Sequence, residues 1–276
     1  MARITTTAIK DMKRAGKRIT MLTAYDYSTA TLVDEAGTDM ILVGDSLGMV
    51  ILGHETTLPV TMDDMIHHSK AVTRAARSSL VVGDMPFLSY HISVPEAVRN
   101  AGRFIQEAGC QAVKLEGGVE RVPVIKAIID AAIPVMGHIG LTPQSVNQMG
   151  GFKVQGKELE SAQRLLNDAH ALEEAGCFAM VLECVPAPLA RRISEAVSIP
   201  TIGIGAGPGC DGQVLVINDM LGMYPKMSPK FVKKYVDLYP LIIEAIRMYN
   251  TEVEAGSFPG PEHCFAINEE LLQKLY

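Results

Sequence analysis

Five short motifs in this chain place an ionisable side chain at the end of an apolar run. They are Val43-Gly44-Asp45-Ser46, Val82-Gly83-Asp84-Met85, Lys114-Leu115-Glu116-Gly117, Gly137-His138-Ile139-Gly140 and Leu182-Glu183-Cys184. If each run is a strand, side chains alternate across it, so Lys114 and Glu116 share one face and Leu115 takes the other. By the same count Asp84 lies on the face of Val82, and Asp45 on the face of Ile41 and Val43. Brought to one place, these residues form a cluster of carboxylates with one ammonium and one imidazole. Like-charge repulsion makes such a cluster costly unless a cation compensates it. A set of oxygen ligands with room for substrate oxygens and water suits Mg²⁺.

Duller readings stand beside these. Gly-Asp at a strand end is a common turn or N-cap pair, although its repetition on two successive runs weakens that account. Lys114 can be a structural ion-pair partner of Glu116, and His138 a satisfied core histidine. Glu183 ends an apolar run and is harder to excuse, because an unpaired buried carboxylate carries a desolvation penalty. His67 and His68 read as surface residues of a helix. The cysteines at 110, 177, 184, 210 and 264 form no C-x-x-C pair and read as reduced packing residues of a cytosolic protein.

The elements that must position these groups follow a regular alternation. Apolar β-rich runs at 19–25, 40–45, 80–84, 112–117, 134–140, 178–183, 200–205 and 213–217 alternate with helical stretches near 28–36, 61–78, 94–109, 119–131, 158–175 and 187–197. Thr61-Met62-Asp63-Asp64 has the form of a capping box. Ser93 followed by Pro95 marks another helix start. Ala-Gly pairs at 36–37, 108–109 and 175–176 mark helix ends. Eight such strands predict a closed (β/α)₈ barrel, an α/β fold of one domain over 1–276, with chemistry at the C-terminal strand ends. A helix within residues 1–18 is expected to cap the barrel bottom, and only Pro208 to Gly212 separates the last two strands, so the helix between them is expected to be missing or reduced. The glycine-rich stretch Gly203–Gly209 reads either as a phosphate loop or as backbone crowding the site. The long loop 141–157, with its Gly150-Gly151 pair, reads either as a mobile lid or as a packed irregular loop.

Composition narrows the partners. The chain has 276 residues, 48% of them hydrophobic, and a net charge of −6, which argues against nucleic acid or an anionic membrane. No apolar run is long enough for a membrane span, and the N-terminal stretch lacks a secretory apolar core. The expectation is a cytoplasmic protein acting on small molecules.

The strings TAYDYSTA, VGDSLGMV, TLPVTMDDM, GDMPFLSY, VKLEGG, GHIGLTPQSV, GGFKVQGK, VLECVP and IGIGAGPGCDGQVLV resemble the ketopantoate hydroxymethyltransferases of pantothenate biosynthesis. The likeness runs from about Ile4 to His263, while Met220–Met227 and the tail beyond His263 are less typical. The resemblance implies a barrel of the phosphoenolpyruvate/pyruvate type, with C-terminal helices. It implies transfer of a one-carbon unit from 5,10-methylenetetrahydrofolate to 3-methyl-2-oxobutanoate. Asp45 and Asp84 would hold Mg²⁺, with Glu116 reaching it directly or through water. Ser46 and Lys114 would bind the 2-oxo acid, Glu183 would accept the proton, and His138 would hydrogen-bond substrate or the new hydroxymethyl oxygen. A homodecamer is also implied. Two other readings stay open: a Mg²⁺-dependent barrel lyase or phosphonomutase acting on another 2-oxo acid, and a non-catalytic metabolite-binding barrel. The catalytic thiol string K-x-x-C-G-H of such lyases is absent.

Overall fold

The structure is a computed structural model that describes residues 3–223 and 229–275. The chain opens with α1 (Thr6–Arg14), β1 (Ile19–Thr23), α2 (Tyr27–Glu35), β2 (Met40–Val43), a short α3 (Leu47–Val50), α4 (Met62–Ala75) and β3 (Leu80–Asp84). It continues through α5 (Val94–Gln106), β4 (Ala112–Lys114), α6 (Val122–Asp130), β5 (Val135–Gly140), a short α7 (Val146–Met149), α8 (Leu159–Glu174) and β6 (Ala179–Glu183). The last part holds α9 (Ala187–Ala196), β7 (Thr201–Ile204), β8 (Gly212–Leu215), α10 (Ile217–Met220), α11 (Leu238–Glu254) and α12 (Glu269–Leu272).

All eight strands pair in parallel, in chain order, and β8 returns to β1 to close the barrel. The expected (β/α)₈ architecture is therefore what forms. Local signals act where expected: Thr61 and Asp64 make a reciprocal capping box on α4, Ser93 accepts the Glu96 N–H at the start of α5, and the glycines after α2, α5 and α8 all have positive φ. No helix lies between β7 and β8.

Strand alternation sorts the core into two layers. Inward residues such as Met21, Met40, Leu42, Leu80, Val82, Ala112, Met136, Val181, Ile202 and Val214 fill the barrel. Ile9 of α1 belongs to the same cluster, so the N-terminal helix plugs one end, as expected. Outward residues such as Ile41, Val43, Val81, Val113, Leu115 and Leu182 pack with the helices. Apolar burial on this scale is the main stabilising term.

The outer face of β1 and β8 is less covered. Thr20 and Gln213 are exposed there, on a groove of about 690 Å³ that also includes Leu22 and Leu215. Meanwhile α11 buries no residue at all. Of the atypical segment Met220–Met227, residues 224–227 lie outside the described residues. Among those described, no helix is long and apolar enough to cross a membrane.

Candidate active site

Four of the five strand ends deliver their ionisable residue by simple alternation. Val82 faces inward on β3, so Asp84 does too; Ala112 on β4 carries Lys114 and Glu116; Met136 on β5 carries His138; Val181 on β6 carries Glu183. All five side chains are nearly or fully shielded from solvent; Glu183 keeps the most exposure, at 16%.

Asp45 arrives differently, and here the alternation argument fails. Its parity partners Ile41 and Val43 point outward into the helix layer. Strand β2 ends at Val43, and the turn that follows redirects the chain. As a result the Asp45 N–H donates to Asp84 Oδ2 at 3.2 Å, and Asp45 is buried in the mouth. Ser46, one residue on, is half-buried with its Oγ 2.8 Å from the Tyr25 hydroxyl.

Lys114 pairs with Asp84, not with Glu116: its Nζ lies 2.7 Å from Asp84 Oδ1. The same Nζ lies 3.2 Å from His138 Nδ1. An ammonium can only donate, so that ring nitrogen is the acceptor and the imidazole carries its proton on Nε2. That Nε2 is 3.2 Å from Glu183 Oε2, close but off the line of a formed hydrogen bond, since it has no partner by geometry. Burial, then the Lys114 charge, holds the His138 pKa well below its ordinary value, so the ring is neutral. Burial pushes Glu183 up to about 7 against a smaller opposing pull from Lys114. Burial would lower Lys114, but the carboxylates of Asp84, Glu116 and Asp45 outweigh it and keep the amine charged. Burial raises both Asp84 and Glu116.

Three site residues escaped the sequence reading. Gln144 lies in the loop after β5 and is buried; its Nε2 donates to Asp45 Oδ2 at 2.8 Å and to Met85 O at 3.0 Å. Its backbone N–H donates to Glu116 Oε2 at 3.0 Å. Tyr90 donates from its hydroxyl to Gln144 Oε1 at 2.7 Å and accepts the Glu116 N–H at 3.2 Å. Tyr25 holds Ser46 from the end of β1. The 141–157 loop thus contributes a residue to the site, through a 3₁₀ turn (Pro143–Ser145) and α7. None of the three bears a charge, which is the signal that drew attention to the others.

Two smaller expectations change. His67 is exposed, but His68 is half-buried with Nδ1 2.6 Å from Tyr25 O. Cys110, Cys177 and Cys210 are packing residues, whereas Cys184 is half-buried and Cys264 is exposed.

The backbone beside Glu183 is tightly built. Cys184 sits at φ 49, in the left-handed region that a non-glycine residue enters at a cost. Gly140 has φ 96, and a Cβ there would meet Glu183 O at 2.2 Å. The Leu141 N–H donates to that same oxygen at 2.8 Å.

Asp45, Asp84 and Glu116 set three buried carboxylates against one ammonium, an imbalance that a divalent cation offsets. Glu116 Oε1 is buried without a hydrogen-bond partner, and Asp84 Oδ1 meets only the Lys114 ammonium. Among the described residues no three His, Cys, Asp or Glu side chains close around a metal by themselves. A partial, all-oxygen set of this kind fits Mg²⁺, which keeps positions for water and substrate oxygens.

Comparison with known proteins shows the family and the fold. A model of the ketopantoate hydroxymethyltransferase family matches residues 3–261. The 3-methyl-2-oxobutanoate hydroxymethyltransferase of Syntrophomonas wolfei is 69% identical over 276 residues, covering 100% of both chains. That of Enterococcus faecalis is 61% identical over 272 residues, covering 99% of each. Among solved structures, phosphonopyruvate hydrolase, in complex with oxalate and Mg²⁺, superposes with a TM-score of 0.62 at 12% identity, covering 98% of this chain and 94% of its own. A 2,3-dimethylmalate lyase of the PEP mutase/isocitrate lyase superfamily gives 0.56 at 15% identity, covering 98% and 93%. These two likenesses speak to the fold, and the first two to descent: the chain belongs to the ketopantoate hydroxymethyltransferase family.

Proposed function

We propose that the protein transfers a hydroxymethyl group from 5,10-methylenetetrahydrofolate to 3-methyl-2-oxobutanoate, giving ketopantoate for pantothenate and coenzyme A synthesis. One observation carries the mechanism: Glu183 faces the Lys114–Asp84–Asp45 cluster across a neutral His138, with its carboxyl raised to the range of a working base. Asp45 and Asp84, with Glu116 beside them, would hold Mg²⁺, which supplies Lewis-acid polarisation of the 2-oxo acid when bound. Lys114 places a permanent positive charge where the oxygen of an enolate develops, inside a water-poor mouth. Ser46, with its neighbouring backbone N–H, would bind the 2-oxo acid.

Glu183 removes the proton from the carbon next to the carbonyl, and that carbon then bonds to the folate methylene. Water supplies the hydroxyl, and tetrahydrofolate leaves. His138 Nε2–H orients the Glu183 carboxylate, or bonds the new hydroxyl oxygen once the proton has moved. The loop 141–157 acts as a lid in this reading and keeps water from the enolate.

The protein is read as a homo-oligomer. Tyr239, Ile242, Ile246, Tyr249 and Val253 form an exposed apolar stripe on α11 at helical spacing. A stripe left largely uncovered, with only Tyr249 stacked on Phe258 of its own chain, favours burial against a second copy.

Ketopantoate formation from 3-methyl-2-oxobutanoate and methylenetetrahydrofolate, followed with and without a chelator, tests the proposal. Product that requires both substrates and Mg²⁺ supports it. Turnover of another 2-oxo acid without folate would replace it with the lyase reading.

A further inference from the structure

A half-enclosed cavity of about 430 Å³ lies between the ends of β4 and β5 and helix α8. Its lining includes Glu116 and Gly140, and Gly140 is the register partner of Glu183. A molecule seated here therefore lies against Glu116 and beside the strand end that carries Glu183.

The wall of this cavity joins opposite chemistries. A Cβ on Gly117 would meet Arg121 Cγ at 2.5 Å, and one on Gly118 would meet Asp168 Cγ at 2.1 Å. Arg121 thus packs against Gly117 and Asp168 against Gly118, on one wall that Glu120 also lines. Asp168 accepts the Val119 N–H on Oδ1 at 3.0 Å, and among the described residues nothing donates to Oδ2. Arg121 Nε and His91 Nδ1 are buried with no partner, a cost that a ligand can relieve. The Arg121 guanidinium carbon also stands 5.8 Å from the Tyr90 ring centroid, which steadies it. Burial raises the Asp168 carboxyl above its ordinary value, and two N–H donors would offset that desolvation.

The complementary ligand is a flat heterocycle with two adjacent N–H donors next to a carbonyl oxygen. We propose that this cavity binds the tetrahydropterin head of the one-carbon donor, with Asp168 accepting from its 2-amino and N3–H groups and Arg121 donating to its 4-oxo oxygen. The assignment rests on the transferase reading above. A cavity of this size takes the bicyclic head and leaves the benzoylglutamate tail to the rim, where the Arg164 side chain is 69% exposed.

Asp168→Asn and Arg121→Gln test the assignment. Each should raise KM for methylenetetrahydrofolate by about 10- to 100-fold, while KM for the 2-oxo acid and folate-free exchange of its C3 proton in D₂O stay within about twofold of wild type. Retained exchange shows that the variant is folded; if Asp168→Asn does not fold, Arg121→Gln decides. 6-Methyltetrahydropterin should compete with the donor in wild type and lose that competition in Asp168→Asn, whereas p-aminobenzoylglutamate should compete equally in both. Unchanged folate KM, or loss of p-aminobenzoylglutamate competition instead, overturns the assignment while wild-type turnover keeps the transferase reading intact. Absence of any folate-dependent turnover in wild type would remove both.

Discussion

His138 stands between Lys114 and Glu183, its Nδ1 3.2 Å from the ammonium and its Nε2 3.2 Å from the Glu183 carboxylate. A donor-only lysine therefore decides which face of the ring carries the proton. His138→Ala is expected to lower kcat by roughly 10-fold or more through loss of orientation of the base. His138→Asn, whose side-chain amide can still donate, should recover part of that loss. Equal loss in both variants would point to packing in place of positioning.

The raised carboxyl of Glu183 sets a pH profile. Proton abstraction needs the ionised form, so C3 exchange should rise tenfold per pH unit below about 7 and level off above it. Glu183→Gln should slow exchange by about 10²–10⁴-fold. Retention of wild-type exchange in this variant would remove Glu183 as the base.

The same shift has a stability consequence of opposite sign. The folded carboxyl, near 7, lies above its ordinary 4.5, so the fold binds the extra proton and stability falls as pH rises through that window. Glu183→Gln removes the buried charge and should stabilise the protein at pH 8 by on the order of 2 kcal/mol, a gain that shrinks toward pH 5. Thermal melts at the two pH values give the comparison directly.

Gln144 ties Asp45, Glu116 and the Met85 carbonyl together. Removing a group that orients metal ligands commonly costs about 10- to 100-fold in metal affinity. Gln144→Ala should weaken Mg²⁺ binding in that range, read by Mg²⁺ titration of the exchange reaction, and chelation should abolish exchange in wild type. A Gln144→Ala enzyme with unaltered Mg²⁺ dependence would separate this residue from the metal.

Gly140 allows β5 to approach the Glu183 carbonyl with a positive φ. Gly140→Ala adds a Cβ at 2.2 Å from that oxygen, and should destabilise the fold by about 2 kcal/mol or more. Urea denaturation measures it, and an unchanged midpoint would show that the two strand ends can part freely.

Much of this site was legible in the sequence because strand alternation is a local rule. Once β3, β4, β5 and β6 were read as strands, Asp84, Lys114, Glu116, His138 and Glu183 had to share the inner face, and the family motifs agreed. Helix caps such as Thr61–Asp64 were legible for the same reason: their hydrogen bonds span three residues. Tertiary structure decided everything that depended on a chain turn or on a distant partner. Asp45 has the wrong parity and enters the mouth only because β2 stops at Val43 and the chain turns back toward Asp84. Gln144 and Tyr90 carry no charge and no periodicity, and they acquire a role only where the loop after β5 folds over Asp45 and Glu116. Lys114 could have paired with Glu116 by alternation, yet Asp84 on the neighbouring strand lies closer. Residue types and their period determined which groups face inward; which of them meet was left to packing, because that distance depends on strands and loops far apart in the chain.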